Sequence, residues 1–197
     1  MTKIYRKLLP LVTFTDIADC VPLATLLIES GTPQIEIAFR SPLAAEAIAT
    51  VSKIPGIQVG AGTVLSNHQA EEAIAAGASF LVSPGFSDEV AKTAIKYKID
   101  YFPGVVTPTE ITHAIEYGFN VQKFFPAESY GGINTLNSLH APFKGIKFIP
   151  TGGINLNNYK NYLSLSFVEA VGGSFITPEE YIKAKNWEAL KAYIESI

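Results

Sequence analysis

The sequence predicts an α/β chain folded as a single-domain (β/α)8 barrel, the TIM-barrel class, spanning residues 1–197. Three observations carry this. About eight short apolar segments read as strands, helical stretches separate them, and several helices end in glycine a few residues before the next strand. Alternating β and α units imply parallel strands, and eight of them suit a closed barrel at the small end of that fold's size range. An open doubly wound sheet is the alternative. No linker, low-complexity tract or shift in composition divides the chain.

The composition narrows the class of function. Hydrophobic residues make up 48% of the 197, enough to bury a core. A net charge of -3 leaves no footprint for nucleic acid. No apolar run approaches the roughly 20 residues that span a bilayer, and "MTKIYRKLLP" lacks an apolar stretch of signal-peptide length. No membrane partner is expected. The single cysteine, Cys20, cannot form an internal disulfide and lies on a helical stripe, so a small core residue in a cytoplasmic protein is expected.

Taken in order, the first strand is expected at 8–14. A helix at 18–30 ends at Gly31 and leads into the second strand, 34–39. "SPL" at Ser41 places a capping hydroxyl before a first-turn proline. The third strand, 58–61, runs into "GAGTVL". Gly60 and Gly62 lack the third glycine of a dinucleotide fingerprint, so that binding mode is rejected. A helix at 70–76 ends at Gly77, before the fourth strand at 80–82 and "SPG". The fifth strand, 100–102, is followed by "PG". "TPTE" at Thr107 opens a helix at 110–117, with Glu110 placed to close a capping box. Gly118 precedes the sixth strand, 120–124. The seventh and eighth are expected at 147–149 and 167–171. "TPEE" at Thr177, with Glu180, repeats the capping signature before a last helix at 187–197.

In such barrels the working site lies at the C-terminal ends of the strands. The second strand ends "IEIAFR", and alternation puts Glu36, Ala38 and Arg40 on one face and Ile35, Ile37 and Phe39 on the other. The apolar set suits the helix-facing layer, which directs Glu36 and Arg40 to the barrel axis or mouth. A salt bridge, or two solvated charges at a frayed end, fits the same pattern. Thr63 offers either a hydroxyl at the mouth or a turn residue. On the sixth strand, Val121, Lys123 and Phe125 share a face, with Gln122 and Phe124 opposite. An inward Lys123 would sit in an enclosed, aromatic-walled site. There desolvation disfavours the charged amine and leaves a nucleophile able to form a Schiff base with a carbonyl. The alternative is a lysine snorkelling to the surface.

The seventh strand ends "FIPTGGI" with Thr151, Gly152 and Gly153, and the eighth ends "AVGGSF" with Gly172, Gly173 and Ser174. Paired glycines here, followed by helix N-termini, form an anion nest where barrels commonly bind phosphate. Flexible turns are the bland alternative. A lysine imine withdraws electrons and permits C–C cleavage, Glu36 serves as general acid–base through a water, and Arg40 clamps a carboxylate. This chemistry requires no metal and no cofactor. His68, His113 and His140 fall in helical or loop stretches without a ligand constellation.

"EIAFR", "GAGTVL", "SPG", "KFFPAE", "PTGGI" and "VGGSF", in this order, resemble the class I 2-keto-3-deoxy-6-phosphogluconate aldolases and 4-hydroxy-2-oxoglutarate aldolases over nearly the whole chain. The resemblance implies a homotrimeric barrel acting on a small keto-acid phosphate, which it splits into pyruvate and glyceraldehyde 3-phosphate. By motif position it assigns Lys123 to the imine and Glu36 to proton transfer. It assigns Arg40 and Thr63 to the pyruvate carboxylate and Phe125 to packing on the pyruvyl group. Gly152, Gly153, Gly173 and Ser174 match the phosphate end. Ala38 and Phe39 stand where threonine and leucine are common. Thr13 replaces an arginine that some relatives carry, and the N-terminus is short. A phosphosugar isomerase or epimerase, or a non-catalytic phosphosugar-binding barrel, would use the same phosphate loops without the covalent lysine.

Overall fold

The computed structural model describes residues 4–197. Strands and helices alternate along them. β1 (Leu8–Val12), α1 (Cys20–Glu29), β2 (Gln34–Ala38), α2 (Ala44–Val51), β3 (Gln58–Gly62) and α3 (Asn67–Ala75) are followed by β4 (Phe80–Val82), α4 (Asp88–Tyr97), β5 (Asp100–Phe102) and β6 (Gly104–Val105). Then come α5 (Pro108–Glu116), β7 (Val121–Phe124), α6 (Gly132–His140), β8 (Lys147–Pro150), α7 (Tyr159–Leu163), β9 (Val171–Gly173), α8 (Glu179–Lys183) and α9 (Trp187–Ser196). Every strand ladder is parallel, as alternation requires.

The ladders do not form one eight-stranded sheet. They form a six-stranded sheet in the order β5-β4-β3-β2-β1-β9 and a three-stranded sheet in the order β6-β7-β8. The expected fifth strand continues past 102 but is interrupted at Pro103, which has no N–H to donate. Before the proline the segment pairs with β4; after it, Gly104 and Val105 pair with Lys123 and Phe124. The expected eighth strand divides in the same way. The Phe148 N–H donates to Phe167 O and the Glu169 N–H to Phe148 O, both at 2.9 Å. The regular strand lies later than expected, at Val171–Gly173, and pairs with Leu8–Pro10. Each segment thus changes neighbours partway along. In the larger sheet, neighbours follow chain order and the last strand lies beside the first. A doubly wound sheet would instead reverse its strand order.

Local signals explain most helix ends. Gly31, Gly77 and Gly118 adopt left-handed φ values of 70°, 101° and 87° just past their helices, where a Cβ would clash. Thr107 and Glu110 form the reciprocal capping box. Ser41 accepts from the Leu43 N–H at 3.1 Å, a turn ahead of α2 rather than at its cap. At Thr177 the expectation fails. Pro178 occupies the cap position, and the Thr177 hydroxyl is buried without a hydrogen-bond partner among the described residues.

Three apolar layers result. Ile35, Ile37, Leu23 and Leu27 belong to one layer between sheet and helices, and Phe124, Phe148 and Leu136 to another. Burying each such side chain stabilises the fold by roughly 1.5–3 kcal/mol. Cys20 is in the first layer, where burial pushes its thiol up to about 12, as suits an inert core residue. The third layer is internal and contains Leu9, Phe80, Val82, Phe102, Val121, Ile149 and Ala170. Gly60 leaves room for it, since a Cβ there would overlap the Phe80 ring. Among the described residues, no helix is long and apolar enough to cross a membrane.

Candidate active site

The parity of β7 decides which way Lys123 points. Phe124 packs among the helix-side residues, and the Gln122 carboxamide donates at 2.9 Å to Phe119 O on that side. Val121 joins the internal layer, and Lys123 follows it inward. Lys123 is 3% exposed. Glu36, on β2 beside Leu11 and Gly60, is 0% exposed.

The two ends meet inside. Lys123 Nζ lies 3.3 Å from Glu36 Oε1, although 87 positions separate the residues. The phenyl ring of Phe125 lies beside the amine, its centroid 5.2 Å from Nζ. Glu36 Oε2 is buried and has no hydrogen-bond partner among the described residues, so one lone-pair face of the carboxylate remains for a ligand. Chemically, the pair offers an amine and a proton carrier in contact, shielded from bulk water.

Arg40 does not reach this pair. It is exposed in the turn after β2 and lines a cavity of about 170 Å³ with Thr13, Asp19, Ser174 and Thr177, among others; Lys123 and Glu36 are not in its wall. Two of the predicted ligand-binding residues, Arg40 and Ser174, therefore meet at one cavity rim. Asp19, which sequence reasoning passed over, is buried at this rim with Lys185 Nζ 3.7 Å away.

Thr63 follows β3 directly and has φ 56°, a left-handed conformation that a β-branched residue adopts only under strain. Thr151 is buried and bridges to Gly172, whose missing Cβ would stand 2.5 Å from Thr151 Oγ1. Gly152 and Gly153 take left-handed φ of 95° and 80°. The two glycine pairs are followed differently from expectation. Gly173 runs straight into a single 3-10 turn, Ser174–Ile176, whereas an asparagine-rich loop separates Gly153 from α7.

The histidines stay outside this site. His68 is exposed on α3, and His140 stacks on Phe167. His113 lies between Glu116 (3.3 Å) and Asp88 (3.1 Å). Its hydrogen bond to Glu116 holds the imidazole above its ordinary value, with Asp88 adding to the effect. Among the described residues, no group of three or more His, Cys, Asp or Glu side chains could hold a metal ion.

Comparison with known proteins identifies the family. The family model described as "KDPG and KHG aldolase" matches residues 2–193. A 2-dehydro-3-deoxy-phosphogluconate aldolase of Treponema pallidum is 42% identical over 187 residues, covering 94% of this chain and 89% of its own. The KHG/KDPG aldolase of Escherichia coli K12 is 36% identical, covering 92% and 85%. The crystal structure of KDPG aldolase from Legionella pneumophila, with pyruvate captured at low pH as a covalent carbinolamine intermediate, superimposes with a TM-score of 0.93. It has 38% identity, over 97% of this chain and 93% of that one. With the family model spanning nearly every residue and relatives this similar over most of their length, the chain belongs to the KDPG and KHG aldolase family of carbon–carbon lyases.

Proposed function

We propose that the protein is a class I aldolase that cleaves 2-keto-3-deoxy-6-phosphogluconate to pyruvate and glyceraldehyde 3-phosphate. By the same chemistry it cleaves 4-hydroxy-2-oxoglutarate to pyruvate and glyoxylate. The observation that carries the reading is the buried contact between Lys123 Nζ and Glu36 Oε1.

In this reading the Lys123 amine, relieved of a proton by Glu36, attacks the C2 ketone and gives a carbinolamine. Glu36 returns that proton to the carbinolamine hydroxyl, which leaves as water, giving the protonated imine and a carboxylate free to act again. Glu36 takes the C4 hydroxyl proton through a water, the C3–C4 bond breaks, and its electron pair passes into the enamine while the aldehyde departs. Return of the proton to C3 and hydrolysis release pyruvate and restore the amine. Phe125 packs on the pyruvyl methyl, and Arg40 and Thr63 receive the carboxylate at the mouth. Thr151, Gly152, Gly153, Gly173 and Ser174 hold the phosphate end. Arg40 is placed at the rim in the present conformation, so its carboxylate contact requires the side chain to reach inward.

The wider expectations belong to the same proposal. Residues 1–197 form one domain, and the two sheets act as halves of one (β/α)8 barrel. The segments around Pro103 and around 168–172, each of which pairs on both sheets, support this. The family resemblance supports a homotrimer working in sugar-acid catabolism of the Entner–Doudoroff type, and a single buried cysteine suits the cytoplasm.

Borohydride reduction in the presence of pyruvate tests the reading. Reductive labelling is expected at Lys123 by peptide mapping, with labelling and cleavage both lost in Lys123→Ala. Labelling that survives the substitution would reject the assignment.

A further inference from the structure

Glu128, the last residue of "KFFPAE", is not used by the mechanism above, yet it is bound into the loop after β8. The Ala127 N–H donates to Thr151 O at 2.8 Å and the Glu128 N–H to Gly152 O at 3.1 Å, which continues the β7–β8 pairing beyond the strand ends. The side chain then folds over Gly153. A Cβ on Gly153 would fall 2.6 Å from Glu128 Cβ and 2.7 Å from Cγ, so the methylenes face the glycine. The carboxylate turns the other way and accepts a hydrogen bond from the hydroxyl of Tyr162, on α7. Gly132 makes space for this bond, since a Cβ there would stand 2.9 Å from Glu128 Oε1 and 3.0 Å from the tyrosine oxygen.

The other side of the loop is tied to the start of the same helix. Asn155 Nδ2 and Asn158 Nδ2 donate to Gly153 O at 3.0 and 3.1 Å, and Asn158 Oδ1 accepts from the Asn155 N–H at 2.8 Å. Gly152–Gly153 is therefore held in a closed circuit that runs through Asn158, α7, Tyr162 and Glu128. Without its tyrosine partner, a mobile carboxylate would stand beside the glycines assigned to an anion, where like charges repel.

We propose that Glu128 and Tyr162 are a positioning pair that fixes the Gly152–Gly153 loop and keeps the Glu128 charge off the bound phosphate, so setting selectivity for the phosphorylated substrate over the unphosphorylated one. This rests on the phosphate reading of the loop. Tyr162→Phe deletes the hydroxyl and keeps the ring. It is expected to raise KM for the phosphorylated keto acid on the order of tenfold, the effect of losing one hydrogen bond to a charged group. KM for hydroxyoxoglutarate and borohydride trapping by pyruvate are expected to stay at parent values. Glu128→Gln keeps an acceptor for the tyrosine and removes the charge, so the parent KM is expected to be retained. Glu128→Ala, at an exposed residue, gives the same selective rise in smaller measure and serves if Tyr162→Phe does not fold.

An equal rise in KM for both substrates, or parent KM values in both Tyr162→Phe and Glu128→Ala, would overturn the proposal. If the unaltered protein cleaves neither substrate, it is the proposed function that fails instead.

Discussion

Gly62 and Glu36 cannot both carry ordinary side chains. A Cβ on Gly62 would fall 2.6 Å from Glu36 Cγ and 2.8 Å from Cδ, with the carboxylate oxygen closer still. The carboxylate therefore occupies the volume that glycine leaves on the neighbouring strand, and this places it against Lys123. Gly62→Ala is expected to push the carboxylate off its position and slow exchange of the pyruvate methyl protons by about 10²-fold, the effect of a misplacement near 1 Å. Deuterium exchange followed by proton NMR measures this. Glu36→Gln should slow exchange similarly while imine trapping remains detectable. Parent exchange rates in both variants would remove Glu36 from proton transfer.

The Lys123–Glu36 pair also has a signature in stability. Removing one partner leaves a buried charge without compensation, and Lys123→Met is expected to cost about 3 kcal/mol in urea unfolding. The double variant Lys123→Met with Glu36→Leu removes both charges and is expected to recover most of that loss. A double variant less stable than Lys123→Met would contradict the view that the pair is kept for chemistry rather than for folding.

Thr63 pairs strain with a predicted binding role. Thr63→Gly relieves the left-handed conformation and is expected to stabilise the fold by about 1 kcal/mol, while weakening pyruvate binding. Urea unfolding and the pyruvate dependence of borohydride trapping read the two effects separately. A destabilised variant would show that the conformation carries no strain.

His113 sets a pH dependence away from the active site. The charged and titratable groups around it are Glu116, Asp88, Tyr117 and Lys92, and Asp88 is held below the usual carboxylate range by its bond from the Tyr117 hydroxyl and then by His113. A histidine raised in the folded state contributes stability that is present below its unfolded value, about 6.5, and is lost as pH rises through the higher folded value. His113→Gln should lower the thermal midpoint more at pH values below about 6 than at about 8, because only the protonated ring pairs with the two carboxylates. A deficit that grows towards alkaline pH would reverse this sign.

Much of the architecture was legible in the sequence because it depends on local geometry. The period of two along "VQKF" separates Lys123 from Gln122 and Phe124 whatever the fold. Gly31, Gly77 and Gly118 end helices because a left-handed residue is needed there, and Thr107 with Glu110 caps a helix within four residues. The simple strand and cap rules fail at two prolines and where one segment is shared between two strands. Pro103 splits one strand between two sheets, 167–173 divides its pairing between β8 and β1, and Thr177 gives up its cap to Pro178.

The sequence alone thus determined which residue types face inward and which strand ends bear them. Periodicity states a face but not a partner. That Lys123 touches Glu36 across 87 positions, that Arg40 stands at the rim instead, and that Tyr162 restrains Glu128 were decided by tertiary structure alone. The physical reason is that closing long loops of chain brings together groups whose separation no local rule encodes, and only the packed sheets fix which ends meet.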